Sequence, residues 1–317
     1  MAPALLFDRD RVDELDSWSE LPRLGSSSIL WIDLEAPDER ELETLVDELD
    51  LRPEAAQLLT RENDEPYLAD FGSYLHVTAF APTESRELCR IGCLVSERWI
   101  VTAHDAPLEV LEIFRERASG SGATGDLDGL EFLADLLEWV LHAYLDAFEG
   151  IERSLEDIDA LAMQGEVTSQ EKVLADLVQL RREIGRLRRA LTSHREIVLA
   201  LTRPELEAIA SSGSAERFAA LRERLEEAVQ SARDSREAVV GSVDLLIATT
   251  GQRTNEIVKV LTIASVLLLP GALIAGVLGM NFRLGFFEDP SNFWLALALI
   301  AGIAATSLVV IRARGWI

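Results

Sequence analysis

Asp244, Gly251, Asn255, Val258, Thr262, Ser265 and Leu269 recur at helical spacing and fall near one face. The same segment closes on the triplet Gly279-Met280-Asn281. Carboxylate, amide and hydroxyl oxygens in one line are what a hydrated cation needs along a path, because each can accept a hydrogen bond from the ion's water shell. Val258, Leu261 and Leu269 are the apolar residues among or beside them, and around a water-filled path they would be constrictions able to gate by dewetting. On a helix that enters a membrane, such a stripe serves either helix–helix contact or a water-filled path. Spacing alone leaves both open.

The elements that would position this stripe can be read from charge. Of 317 residues, 30 are basic and 55 acidic, for a net charge of −25. The first 255 hold 26 basic and 52 acidic side chains, and the last 62 are nearly neutral and mostly apolar. The chain therefore changes solvent near residue 257. Residues 260–280 and 293–311 carry no charge, and at 1.5 Å per residue each spans the roughly 30 Å of a bilayer core. The intervening 281–292 contains Gly285, Glu288, Asp289 and Pro290, which is loop chemistry. Pro270-Gly271 inside the first span marks a kink site. Lys259, Arg312 and Arg314 flank the spans while the loop is acidic, so the positive-inside rule puts both termini in the cytoplasm and the loop outside. The first 15 residues have no apolar run of signal-peptide length.

The expected fold is an α+β membrane protein with an N-terminal α/β cytoplasmic domain. Strands are expected at 28–34, 73–80, 88–95 and 99–103, with an amphipathic helix at 39–49 and a Gly/Ser linker at 119–125. Helical periodicity follows over 127–161 and 169–201. A third helix starts near Ser214 and runs into the first span, with Phe218, Leu221, Leu225, Ala228, Ala232, Val239, Val243 and Leu246 on its apolar stripe. Unbroken, it would be about 100 Å long, and self-association is the natural way to bury it. The domains are then 1–118 (α/β), 119–212 (antiparallel helices), 213–256 (stalk helix), 257–280 (first span, pore-lining), 281–292 (external loop), 293–311 (second span) and 312–317 (tail).

Several function classes are excluded. Net acidity argues against nucleic acid as a partner. Two cysteines, Cys89 and Cys93, cannot staple a secreted fold, and nothing supplies a second pair for zinc. His76, His104, His142 and His194 form no i, i+4 pair and read as structural or surface residues. The acid-rich stretches at 8–70 and 146–171 read as solvated faces, with attraction of cations as the sharper alternative. No phosphate loop, nucleophile elbow or convincing carboxylate pair is present, so an enzyme is not expected, nor a bound cofactor.

The segment Asn255-Glu256-Ile257-Val258-Lys259-Val260-Leu261-Thr262-Ile263, followed by Gly276-Val277-Leu278-Gly279-Met280-Asn281-Phe282, resembles the pore helix of the CorA family of two-span divalent-cation transporters. Trp31-Ile32-Asp33-Leu34 resembles the family's early strand, and 312–317 its basic terminus. The resemblance implies a homopentameric funnel in the inner membrane, carrying divalent cations and lined by the first span. Gly279, Met280 and Asn281 would be its selectivity filter, with Asn281 holding a hydrated Mg²⁺. Asn255 and Asp244 would form further rings, and Glu288 and Asp289 would concentrate cations outside.

One departure bears on regulation. Where magnesium-gated members carry an Asp five positions after a Pro, Pro53 is followed by Leu58, and the stalk partner falls on Ala220. This resembles the zinc-transporting (ZntB-like) branch, so Zn²⁺, Co²⁺ or Ni²⁺ movement, coupled to protons, is the alternative to Mg²⁺ uptake. A non-conducting membrane scaffold is the rival of another class.

Overall fold

The computed structural model describes residues 4–8, 11–15, 24, 28–61, 66–120, 127–164, 167–202, 212–280 and 291–315. Contacts divide the chain into two units, 1–160 with 171–243, and 161–170 with 244–317.

The first unit is built on a seven-stranded sheet in the order β2-β1-β3-β7-β6-β5-β4. The strands are β1 (Ala4–Asp8), β2 (Arg11–Leu15), β3 (Ser28–Glu35), β4 (Tyr67–Asp70), β5 (Leu75–Pro82), β6 (Leu88–Val95) and β7 (Trp99–His104). β3 and β7 pair in parallel, and the other neighbours pair antiparallel. The central strands are buried on both faces, so they read as continuous apolar runs rather than as alternation. α1 (Glu39–Leu49) and α2 (Pro53–Thr60) cover one face. There Leu45, Ala55 and Leu59 join Leu30, Ile32, Leu34, Leu94, Val101 and Ala103 in one core cluster. A reciprocal capping box between Asp38 and Glu41 starts α1, and Pro53 sits in the first turn of α2, where its missing N–H costs nothing.

The other face is aromatic. Trp31 of β3 meets Phe114 of α3 (Glu109–Gly120) and Phe132 of α4 (Gly129–Gln164) at ring-centroid distances of 5.4 and 5.6 Å. Phe132 also lies 5.9 Å from Phe7. α4 can start so close to the sheet because its first residue is glycine: a Cβ on Gly129 would stand 1.8 Å from the Ser96 carbonyl oxygen.

α4, α5 (Val167–Leu201) and α6 (Ser212–Leu278) are the long helices. Phe80 of β5 anchors two of them through its backbone: its N–H donates to His194 Nε2 of α5 (3.0 Å), and its carbonyl accepts from Tyr144 of α4 (3.0 Å). Arg86, in the β5–β6 turn, donates to the Gly150 carbonyl and to Ser154, and pairs with Glu183. Arg217 to Asp135 and Ser242 to Asp159 (3.1 Å) join α6 to α4 in parallel, and Arg195 to Glu226 (2.9 Å) joins it to α5.

The structure departs from the sequence reading in several places. β1, β2, β4, α2 and α3 carry too few residues or too much charge to stand out as runs. α3 extends through Ser119 and Gly120, so the first part of the expected linker is helix; 121–126 lie outside the described residues. The stripe of α6 reads Phe218, Leu221, Leu225, Ala228, Ala232, Ser235, Val239 and Ser242, all buried. That is a strict alternation of threes and fours. Val243 is only half-buried, and Ser242 takes its place. As far as Ser242 the stripe is covered within the chain, so self-association is not needed to bury it.

In the second unit α6 continues from Asp244 through Pro270 and ends at Leu278, and α7 (Ser291–Ala313) carries the second apolar run. Both contain a stretch long and apolar enough to cross a membrane. Their surfaces are apolar and open: Leu268, Leu273 and Trp294 are exposed. The two helices touch where Ile300 lies against Gly271.

Candidate ion path

All eight residues expected to line a path, Asp244, Gly251, Asn255, Val258, Leu261, Thr262, Ser265 and Leu269, lie on the uninterrupted part of α6 in the second unit. At 100° per residue, Asp244, Gly251, Asn255, Val258, Thr262, Ser265 and Leu269 occupy an arc of roughly 80°, with Leu261 about 40° outside it. Asp244, Gly251, Asn255, Val258, Leu261 and Leu269 are exposed in the single chain. Thr262 and Ser265 are half-covered, and Thr262 lines the groove toward α7. The Thr262 hydroxyl donates to the Val258 carbonyl at 2.7 Å. Its oxygen therefore presents only lone pairs to that groove.

The helix ends in a manner that fits its sequence. The Gly279 N–H bonds to the Ala275 carbonyl at 2.9 Å and the Met280 N–H to the Val277 carbonyl at 3.2 Å, so the last turn tightens. A Cβ on Gly279 would lie 3.2 Å from the Ala275 oxygen, closer than side chains tolerate without movement. The carbonyls of this last turn carry the negative end of the helix dipole. Asn281, Glu288 and Asp289 lie outside the described residues.

A family model described as a CorA-like Mg²⁺ transporter protein matches residues 26–313. The chain belongs to the CorA family. Among its relatives, the cobalt/magnesium transport protein CorA of Methanocaldococcus jannaschii is 21% identical over 294 residues, covering 91% of this chain and 92% of that protein. The solved structure of the complete CorA magnesium transporter from the same organism superposes with a TM-score of 0.81 at 21% identity, over 100% of this chain and 99% of that one. The full-length CmaX protein superposes with a TM-score of 0.74 at 22% identity, over 99% and 97%. The CorA fold thus extends over the α/β domain, the long helix and both apolar helices.

At the two positions where the resemblance implies regulatory ligands, Leu58 is half-buried on α2 and Ala220 is exposed on α6. Neither can hold a cation. Among the described residues of the single chain, no three His, Cys, Asp or Glu side chains converge as a metal site.

The structure also reveals polar constellations with no periodic signal. Asp33, 5% exposed, accepts from Thr102 Oγ1 at 2.5 Å and pairs with Arg115, with His104 Nε2 at 3.4 Å. Thr102 in turn accepts from Trp31 Nε1 at 2.9 Å. Asp33 could be read only as part of a strand; its partners stand 69 to 82 residues away in sequence. The adjacent hydroxyls Thr306 and Ser307, set in an otherwise apolar run, were the available signal for a polar spot on α7.

Proposed function

We propose that the chain assembles as a homopentamer in the cytoplasmic membrane and admits divalent cations, Mg²⁺ foremost, to the cytosol. The observation that carries this reading is a polar-striped helix of CorA-family sequence, followed in the sequence by the triplet Gly279-Met280-Asn281. Five Asn281 amides would offer a neutral ring of oxygens to the water shell of an ion that dehydrates reluctantly, as Mg²⁺ does. The carbonyl end of α6 would add a negative potential at the mouth. Below it Asn255 and Asp244 would present successive oxygen rings, with Val258, Leu261 and Leu269 as apolar constrictions. Glu288 and Asp289 would raise the cation concentration outside. Both termini would lie in the cytoplasm, consistent with Lys259, Arg312 and Arg314 flanking the spans. Transport rather than catalysis is the family's chemistry, and the ion is cargo.

The test is ²⁸Mg²⁺ or dye-reported Mg²⁺ flux into liposomes holding the purified protein. Asn281→Ala should abolish flux or its preference for Mg²⁺, and unchanged uptake by that variant overturns the assignment.

A second reading, Zn²⁺, Co²⁺ or Ni²⁺ movement coupled to protons, is favoured by Leu58 and Ala220. It requires Zn²⁺ flux that follows an imposed pH gradient. Flux that ignores the gradient and excludes Zn²⁺ removes it.

A further inference from the structure

The groove between α6 and α7 has a volume of about 290 Å³ and an uneven lining. Val266, Val310 and Ile311 make apolar walls, with Ile311 buried to 8% exposure. Thr262, Thr306 and Ser307 supply hydroxyls, and Arg314 stands at one end. Two of the hydroxyls are already committed as donors: Thr262 to the Val258 carbonyl at 2.7 Å and Thr306 to the Gly302 carbonyl at 2.8 Å. The Ser307 hydroxyl and the Arg314 guanidinium have no hydrogen-bond or ion-pair partner among the described residues. Arg314 follows the last residue of α7 and its N–H still bonds the Val310 carbonyl at 3.1 Å, so it stands seven residues, about 10 Å along the axis, beyond Ser307. The groove therefore offers an apolar slot, a hydroxyl along it and a cation at its end.

We propose that this groove binds an anionic glycerophospholipid, with the phosphate at Arg314, the glycerol backbone beside Val310, an ester carbonyl at Ser307 and an acyl chain running on from there along Val266. The charge is complementary, and the walls identify the source of the phosphate. A soluble phosphate gains nothing from Val266, Val310 and Ile311, whereas an acyl chain fills them in the solvent that apolar α6 and α7 demand. Basic pockets between membrane helices at the cytoplasmic side are suited to anionic headgroups. Lys259 lies one turn before Thr262 and adds to the positive end. The inference depends on α6 and α7 being membrane helices, and is independent of which ion is carried.

The experiment uses the full-length protein reconstituted in vesicles of phosphatidylcholine with about one-quarter phosphatidylglycerol, then released gently for native mass spectrometry of retained lipid. Wild type should retain phosphatidylglycerol over phosphatidylcholine. Arg314→Gln should lower that retention about fivefold, the worth of one basic residue at an anionic lipid surface. Arg312→Gln, whose side chain does not line the groove, should leave most of it. Ser307→Phe, which fills the slot while keeping Arg314, should displace the lipid without loss of reconstitution. Equal retention of the two lipids by wild type, or phosphatidylglycerol retention unchanged in both Arg314→Gln and Ser307→Phe, overturns the proposal. Failure of every form to enter vesicles would instead refute the membrane reading itself.

Discussion

His194 and His76 are held neutral by burial, which lowers the pKa of each from 6.5 to about 4. His194 is used fully, accepting from the Phe80 N–H through Nε2 while Nδ1 faces the Ala190 carbonyl at 2.6 Å. His76 makes no hydrogen bond of good geometry through either ring nitrogen, and the nearby Leu58 carbonyl only partly offsets its desolvation. An unfolded chain takes up protons at these positions below pH 6.5 while the folded one does not, so each histidine contributes stability that is present above pH 6.5 and is lost as pH falls toward 4. The apparent melting temperature in detergent should decline across that window. His194→Leu should be destabilised by about 1–3 kcal/mol at pH 7, because the Phe80 N–H loses its acceptor, and should show a shallower acid limb. His104 has the opposite sign. Desolvation opposes its protonation, but the hydrogen bond and charge of Asp33 prevail and raise its pKa. Its contribution is present below pH 6.5 and fades as pH rises through the raised value, an effect that Asp33→Asn should remove. None of this was legible in the sequence, since burial decides the titration of His76 and His194, and Asp33, some 70 residues away in the chain, decides that of His104.

At the scale of elements, periodicity carried the long helices and the stripe on α6, because a face repeated over six or more turns outweighs any local exception. It lost the stripe's lower end, where Ser242 is buried instead of Val243: a serine that bonds Asp159 is invisible to an apolar count. The short strands failed for another reason. β2 reads Arg-Val-Asp-Glu-Leu and sits at the sheet's edge, paired only with β1 among the described strands, so charge there is tolerated and hides the strand. Two substitutions test how the elements meet. Phe132→Ala should cost about 3–5 kcal/mol by emptying the space among Phe7, Trp31 and Phe114, measurable as a lower melting temperature. Gly129→Ala should be worse tolerated than its volume suggests, because its Cβ meets the backbone of Ser96, which cannot swing aside. Protein yield and protease resistance of that variant report the outcome.

For the whole molecule, the acidic excess and the two apolar helices were both visible as a change of composition near residue 257, and the family match bears out the architecture read from it. The triplet proposed as the filter, Gly279-Met280-Asn281, was legible as residue types, and Asn281 lies outside the described residues. Regulation belongs to this scale, because the implied ligand pair joins one subunit's α2 to another's α6. With Leu58 and Ala220 in those places, flux in liposomes should be insensitive to millimolar internal Mg²⁺. The double variant Leu58→Asp/Ala220→Asp should acquire closure by internal Mg²⁺, read as a fall in initial flux as internal Mg²⁺ is raised. Closure of the wild type under the same conditions would show that a different set of ligands does this task.

Cys89 and Cys93 are both free and buried. Burial pushes the Cys93 thiol up to about 12 and raises Cys89 as well, so at neutral pH almost no thiolate is presented to a reagent. For chemical labelling the native chain is silent. A cysteine placed at 255, 258 or 262 can be alkylated on an otherwise unaltered protein, with no background thiols to replace, and the rate at which a methanethiosulfonate reaches each site would map where water enters α6.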